Sequence, residues 1–153
     1  MKRRTLAAAS AALLMASALG VSACSSEIVA QSGSGAQSTA NLDLERISSV
    51  LSDVGGAMAS ADASLNASDL DGKVTNGALE TRTAQYALAT ATGQAPSALD
   101  FTPTSLAITN SDSWPRAIFN ISDGSSTALP VLQVYVQDSA RSDYKLTSYA
   151  RLL

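Results

Sequence analysis

The sequence predicts an α+β fold: two N-terminal helices packed on one face of an antiparallel β-meander of about four strands. Three observations predict it. Apolar residues recur at helical spacing between residues 44 and 65, the period shifts towards two after Pro103, and short turn-forming segments separate the later apolar runs.

A targeting segment precedes this domain. Lys2, Arg3 and Arg4 form a basic start, followed by the apolar run LAAASAALLMASALG at 6–20. Fifteen residues suit a signal peptide and fall short of the roughly 20 that a membrane-spanning helix needs. The run ends at VSACSS, where Ala23 precedes Cys24, the only cysteine in the chain. Val21, Ser22 and Ala23 before Cys24 resemble a bacterial lipobox, in which the thiol is lipidated and the chain is cut just before it. Small residues here also fit ordinary secretory cleavage, which cuts the same bond. The cysteine at the first mature position favours lipidation, and no second cysteine exists for an intramolecular disulfide. Cys24 is therefore expected to carry covalent diacylglycerol, whose two chains hold a protein at the membrane where one chain binds only reversibly.

Removing residues 1–23 takes away three basic residues and no acidic ones, which moves the net charge from −3 to −6. No basic cluster remains, so nucleic acid is not an expected partner. The expected partners are the membrane, through the anchor, and an envelope protein or a small ligand. Residues 25–40, SSEIVAQSGSGAQSTA, have the composition of a flexible tether spanning about 20–25 Å r.m.s.. The three expected regions are thus a signal at 1–23, an anchor and tether at 24–40, and a folded domain at 41–153.

Within the domain, Leu44, Ile47, Leu51, Val54, Met58, Ala61 and Leu65 form one apolar stripe, with Asn41 as the expected N-cap and Asp43 and Glu45 in the first turn. The Gly55–Gly56 pair marks a close approach or a kink. NASDLDG at 66–72 reads as a turn. Its Asp69-x-Asp71-Gly72 lacks the further ligands of a calcium loop. A second helix is expected over 75–92, closed by Gly93. TSLAITN (104–110), PRAIFNIS (115–122), LPVLQVYVQD (129–138) and YKLTSYARLL (144–153) read as strands. In the third, Val131, Gln133 and Tyr135 share one face, and Leu132, Val134 and Val136 the other. The fourth runs into Leu153 with no turn, as in a domain that continues or is completed by a partner.

Three segments carry a family resemblance: GALETRTAQYALATA (77–91), SWPRAIFNISD (113–123) and LPVLQVYVQDSARSDYKLTSYARLL (129–153). With the lipobox and tether, they resemble exported lipoproteins of high-GC Gram-positive bacteria. The matching positions are Arg82, Gln85 and Tyr86; Trp114, Pro115 and Arg116; Gln137 and Asp138; and Tyr144, Lys145 and Leu146. The resemblance implies an extracytoplasmic domain like the cone of nuclear transport factor 2. It implies an address and an architecture, and no mechanism.

The residues available for catalysis are few. There is no histidine, no phosphate loop and no dinucleotide fingerprint, and the cysteine is assigned to the anchor. No cofactor beyond the lipid and no metal is expected, and the domain reads as a non-enzymatic binding or interaction module. Arg82 and Tyr86 share a helix face and either line a pocket or lock the core, with Arg82 bonding a sheet carboxylate or carbonyl. Trp114 and Arg116 either offer an aromatic ledge and a cation to a ligand or anchor a strand entry. Asp138, Arg141 and Asp143 read as an ion-paired loop. Two other classes stay open: an enzyme using Asp, Arg and Tyr in a pocket, and an assembly subunit pairing through its terminal strand, sensitive to charge at Val136 or Leu146.

Overall fold

The computed structural model describes residues 42–124 and 129–153. Cys24, Ala23, the tether and Asn41 lie outside them. The fold is α+β, with two helices followed by a four-stranded antiparallel sheet.

Helix α1 covers Leu44–Ser64 and α2 covers Asn76–Thr92, with a 3₁₀ turn at Ala67–Leu70 between them. The N-cap of α1 is Asp43 rather than the expected Asn41. Its carboxylate accepts the Arg46 N–H at 2.8 Å, satisfying a donor that the first turn leaves without a partner. Ile47, Leu51, Val54, Met58 and Ala61 are buried as the stripe requires, while Leu44 is exposed and Leu65 takes the left-handed C-cap position with φ 53°. The helix runs through both glycines without a break. A Cβ on Gly55 would lie 3.2 Å from the Phe101 ring, whereas one on Gly56 would meet nothing. The pair therefore marks a close approach at Gly55 and no kink. Gly93 closes α2 in the left-handed region, as read.

Strands β1 (Pro103–Ile108), β2 (Arg116–Ser122), β3 (Val131–Gln137) and β4 (Lys145–Arg151) lie in sequential order. Each begins one or two residues inside the apolar run that predicts it, apart from β1, which begins at Pro103. A bulge in β4 lies opposite Val134 and Tyr135. The far edge of β4 is partly covered, because Leu146 donates to the Lys73 carbonyl and accepts from the Thr75 N–H.

Both helices and the segment between them contribute to one core with the inner face of the sheet. The register places Leu106, Asn120, Gln133 and Tyr149 in one row across this face. Ile108, Ile118, Tyr135 and Leu146 form the next. Leu146, expected to lie open to a partner, is fully buried in this core. The reason is the pleat: Leu146 pairs with the inward-facing Tyr135, while Val136 points to the opposite face.

Candidate functional site

Two arrangements stand out, one on each side of the sheet. On the covered side, Arg82 on α2 is fully buried. Its Nε donates to Asp62 Oδ1 at 2.8 Å, and its Nη2 bonds the other Asp62 oxygen, so α1 and α2 are joined by a two-point pair. Its Nη1 donates to Gln85 Oε1 at 2.8 Å and to the Ser97 carbonyl at 3.2 Å. The Tyr86 hydroxyl donates to Asp62 Oδ1 at 2.7 Å, and the Tyr149 hydroxyl brings β4 in through Gln85 at 3.2 Å. Arg151 holds the Ser97 and Ala98 carbonyls. The network thus ties both helices, the 94–102 segment and β4 together.

Burial alone lowers the pKa of the Arg82 guanidinium, but the Asp62 carboxylate outweighs it and the net direction is upward. Burial and the Asp62 hydrogen bond push the Tyr86 hydroxyl well above its usual range. It remains a protonated donor at neutral pH. The sequence anticipates the shared face of Arg82 and Tyr86, with Arg82 locked by a carboxylate and a carbonyl. The carboxylate, however, comes from α1 and not from the sheet. No spacing rule links Asp62 to a residue twenty positions on.

Trp114 and Arg116 lie at the other end of the domain. The Arg116 guanidinium stacks over the Trp114 ring at 4.2 Å from its centroid, next to the cis Trp114–Pro115 peptide. The pairing joins two of the expected contact residues and leaves Arg82 and Tyr86 in a separate cluster. Asp138, Arg141 and Asp143 form no ion pair among the described residues. Their turn is closed instead by Ser142, whose carbonyl accepts from Gln137 and whose hydroxyl accepts from the Ser139 N–H.

The second arrangement is the open face of the sheet. Ala117, Phe119 and Ile121 on β2 stand beside Val136, Val134 and Leu132 on β3, and Ala107 flanks Phe119 on β1. Phe119 is 40% exposed and Ile121 36%. Ser105, Ser148, Ala150 and Lys145 border this patch, so its middle carries no charge. The alternation in the sequence shows that these side chains share a face. It does not show that the helices cover the other one.

Among the described residues, no group of three or more His, Cys, Asp or Glu side chains is placed to hold a metal ion, and no helix is long and apolar enough to cross a membrane. Comparisons with protein-family models, curated proteins and solved structures find no match to this chain.

Proposed function

We propose that this protein is a lipid-anchored component of the cell envelope, held at the outer face of the membrane by diacylglycerol on Cys24. Its α+β domain acts as a non-enzymatic interaction module that docks a protein partner on the open face of the sheet. The anchor rests on the basic start, the apolar run and the small residues before a single cysteine. The resemblance to exported lipoproteins of high-GC Gram-positive bacteria agrees with that address.

The observation that carries the docking role is the uncharged patch of Phe119, Ile121, Leu132, Val134 and Val136 on an otherwise closed domain. Two strands at about 4.8 Å spacing and five residues at about 3.3 Å give a patch of roughly 150–200 Å². Its composition sets the partner's chemistry: an apolar protein surface without a charge at its centre. A contact centred on so small a patch belongs to weak or transient complexes rather than obligate ones.

The test uses the anchored, full-length chain. Gently solubilised membranes run on native gels should show it in an assembly larger than itself, and Val134→Glu should release it. Identical migration of the wild type and V134E would contradict docking on this face. Mass analysis of the N-terminal peptide of the membrane-extracted chain separately tests the anchor: a chain that begins at a diacylglyceryl-modified Cys24 is expected, and a mature chain without lipid would overturn it.

A further inference from the structure

A cleft of about 170 Å³ opens between the first half of α1 and the β3–β4 turn. Arg46, Ser49, Asp53, Lys73, Gln137, Asp143 and Tyr144 supply its polar groups, and Val50 and Val54 its apolar floor. The Asp143 carboxylate thus also borders the space, and among the described residues it pairs with neither Arg46 nor Lys73. Asp53 is already engaged by Lys73 at 3.7 Å. Arg46 is exposed and makes no ion pair among the described residues.

Arg116 lies beside the cleft as the cross-strand partner of Gln137. Its only ring contact is with Trp114, and its Nε is buried with no hydrogen-bond partner among the described residues. A buried donor without an acceptor costs free energy, so such an atom asks for a water or a ligand. The buried Tyr144 hydroxyl lies in the field of both Arg46 and Arg116. Burial raises its pKa while the arginines pull it down. The net direction is upward, so it stays a neutral donor. In a mature chain of net charge −6, this is a place where two arginines lack carboxylate partners and a phenol and an amide converge.

We propose that this cleft binds a small oxyanion, the carboxylate or phosphate group of a compact ligand. Arg46 and Tyr144 donate to it directly. Arg116 adds positive potential from behind Gln137, steadied by its stack on Trp114. The Lys73–Asp53 pair closes one side and keeps Asp53 from competing for Arg46. At about 170 Å³ the cleft is smaller than the usual pocket for a drug-sized ligand and suits a compact anion such as phosphate or a short dicarboxylate. The site is independent of the open sheet face, which lies on the other side of β2 and β3.

Trp114 is the chain's only tryptophan, so its fluorescence reports on the Arg116 stack without labelling. The mature chain in detergent is titrated with inorganic phosphate and, separately, with succinate, at constant ionic strength maintained with sodium chloride. Saturable fluorescence change, or a rise in melting temperature that saturates with ligand, is expected for at least one of them. Arg46→Gln should weaken it about tenfold, the loss of one charge-assisted contact, and Arg116→Gln by less, since Arg116 acts through its charge without touching the ligand. Arg46 is exposed, so R46Q should melt as the wild type does without ligand. Arg141→Gln, on the exposed turn outside the cleft, should bind unchanged.

A response to phosphate alone identifies a phosphate ligand, and to succinate alone a carboxylate one. Either supports the site. No saturable fluorescence or melting response to either anion, or full retention of it in R46Q, would overturn the proposal. V134E is expected to bind the anion normally, which separates failure of this site from failure of the docking face.

Discussion

The two faces of the sheet divide their residues unusually: the covered one mixes buried polar groups into its apolar core, and the open one carries an apolar patch. The covered face places Asn120, Gln133, Gln137 and Ser122 in or beside the core, while the open face carries Phe119, Ile121, Leu132, Val134 and Val136. Most of these buried polar atoms bond one another and the backbone, while Asn120 Oδ1 is buried without a hydrogen-bond partner among the described residues. Gln133 Oε1 accepts from Asn120 and from the Tyr135 hydroxyl at 2.8 Å each, its Nε2 donates to the Asp100 carbonyl, and Ser122 accepts the Val131 N–H. On the open face Phe119 and Ile121 are exposed and Leu132, Val134 and Val136 half-buried, with no helix packed over them among the described residues. The covered face packs against both helices, and the open one has no such layer among the described residues.

The comparison is broken most severely by one charge placed on each side. Leu146→Glu buries an unpaired carboxylate beside Tyr135 and should cost on the order of 4 kcal/mol or more, enough to unfold a marginal domain. Val136→Glu, ten residues earlier and on the open face, should leave the melting temperature within a few degrees and abolish association. Circular dichroism melts of the two variants decide it, and equal destabilisation would mean that the faces are wrongly assigned.

Asp62→Ala comes next. It strips Arg82 of its charged partner inside the domain and removes the Tyr86 acceptor, so a loss of about 3 kcal/mol is expected in urea unfolding. A loss below about 0.5 kcal/mol would show that the network contributes no more than an exposed ion pair.

Alkaline pH sharpens the comparison further. Burial raises the Tyr135, Tyr86 and Tyr144 hydroxyls above their usual value. The unfolded chain therefore releases these protons at lower pH than the folded one. Stability should be level up to pH about 10 and then fall, by about 1.4 kcal/mol per pH unit for each tyrosine that stays protonated in the fold. Tyr135→Phe should remove one such contribution and flatten the decline, and an unchanged alkaline slope would contradict the burial of that hydroxyl.

The smallest effect is at the glycine pair. Gly56→Ala should stabilise α1 by about 0.5–1 kcal/mol, because its Cβ meets open space. At Gly55 the same change forces the Phe101 ring to give way and should yield no gain. Equal gains from both, in thermal unfolding, would remove the close approach.

Much of this arrangement was legible in the residues. The 3,4 spacing of Ile47, Leu51, Val54, Met58 and Ala61 defines α1 and its buried stripe, Gly93 marks the end of α2, and period-two runs locate the strands. Three features were not legible. Alternation in β3 sorts its residues into two sets but carries no label for the covered one, and ranking by hydrophobicity would bury Leu132, Val134 and Val136. The Asp62–Arg82 pair depends on how two helices cross. The cleft draws on α1, the segment before α2 and the β3–β4 turn, which meet only once the sheet is assembled.

The most direct test of the account asks whether the open face is covered in the cell. A photo-crosslinking residue placed at Val134 in the anchored, full-length chain is compared with one at Leu88, an exposed apolar position on α2. The account predicts a discrete adduct from position 134 that Val136→Glu abolishes, and none from position 88. Its mass would tell a second copy of the chain from a different protein. No adduct at 134, or the same adducts from both positions, would contradict the reading of the open face as the working surface of this protein.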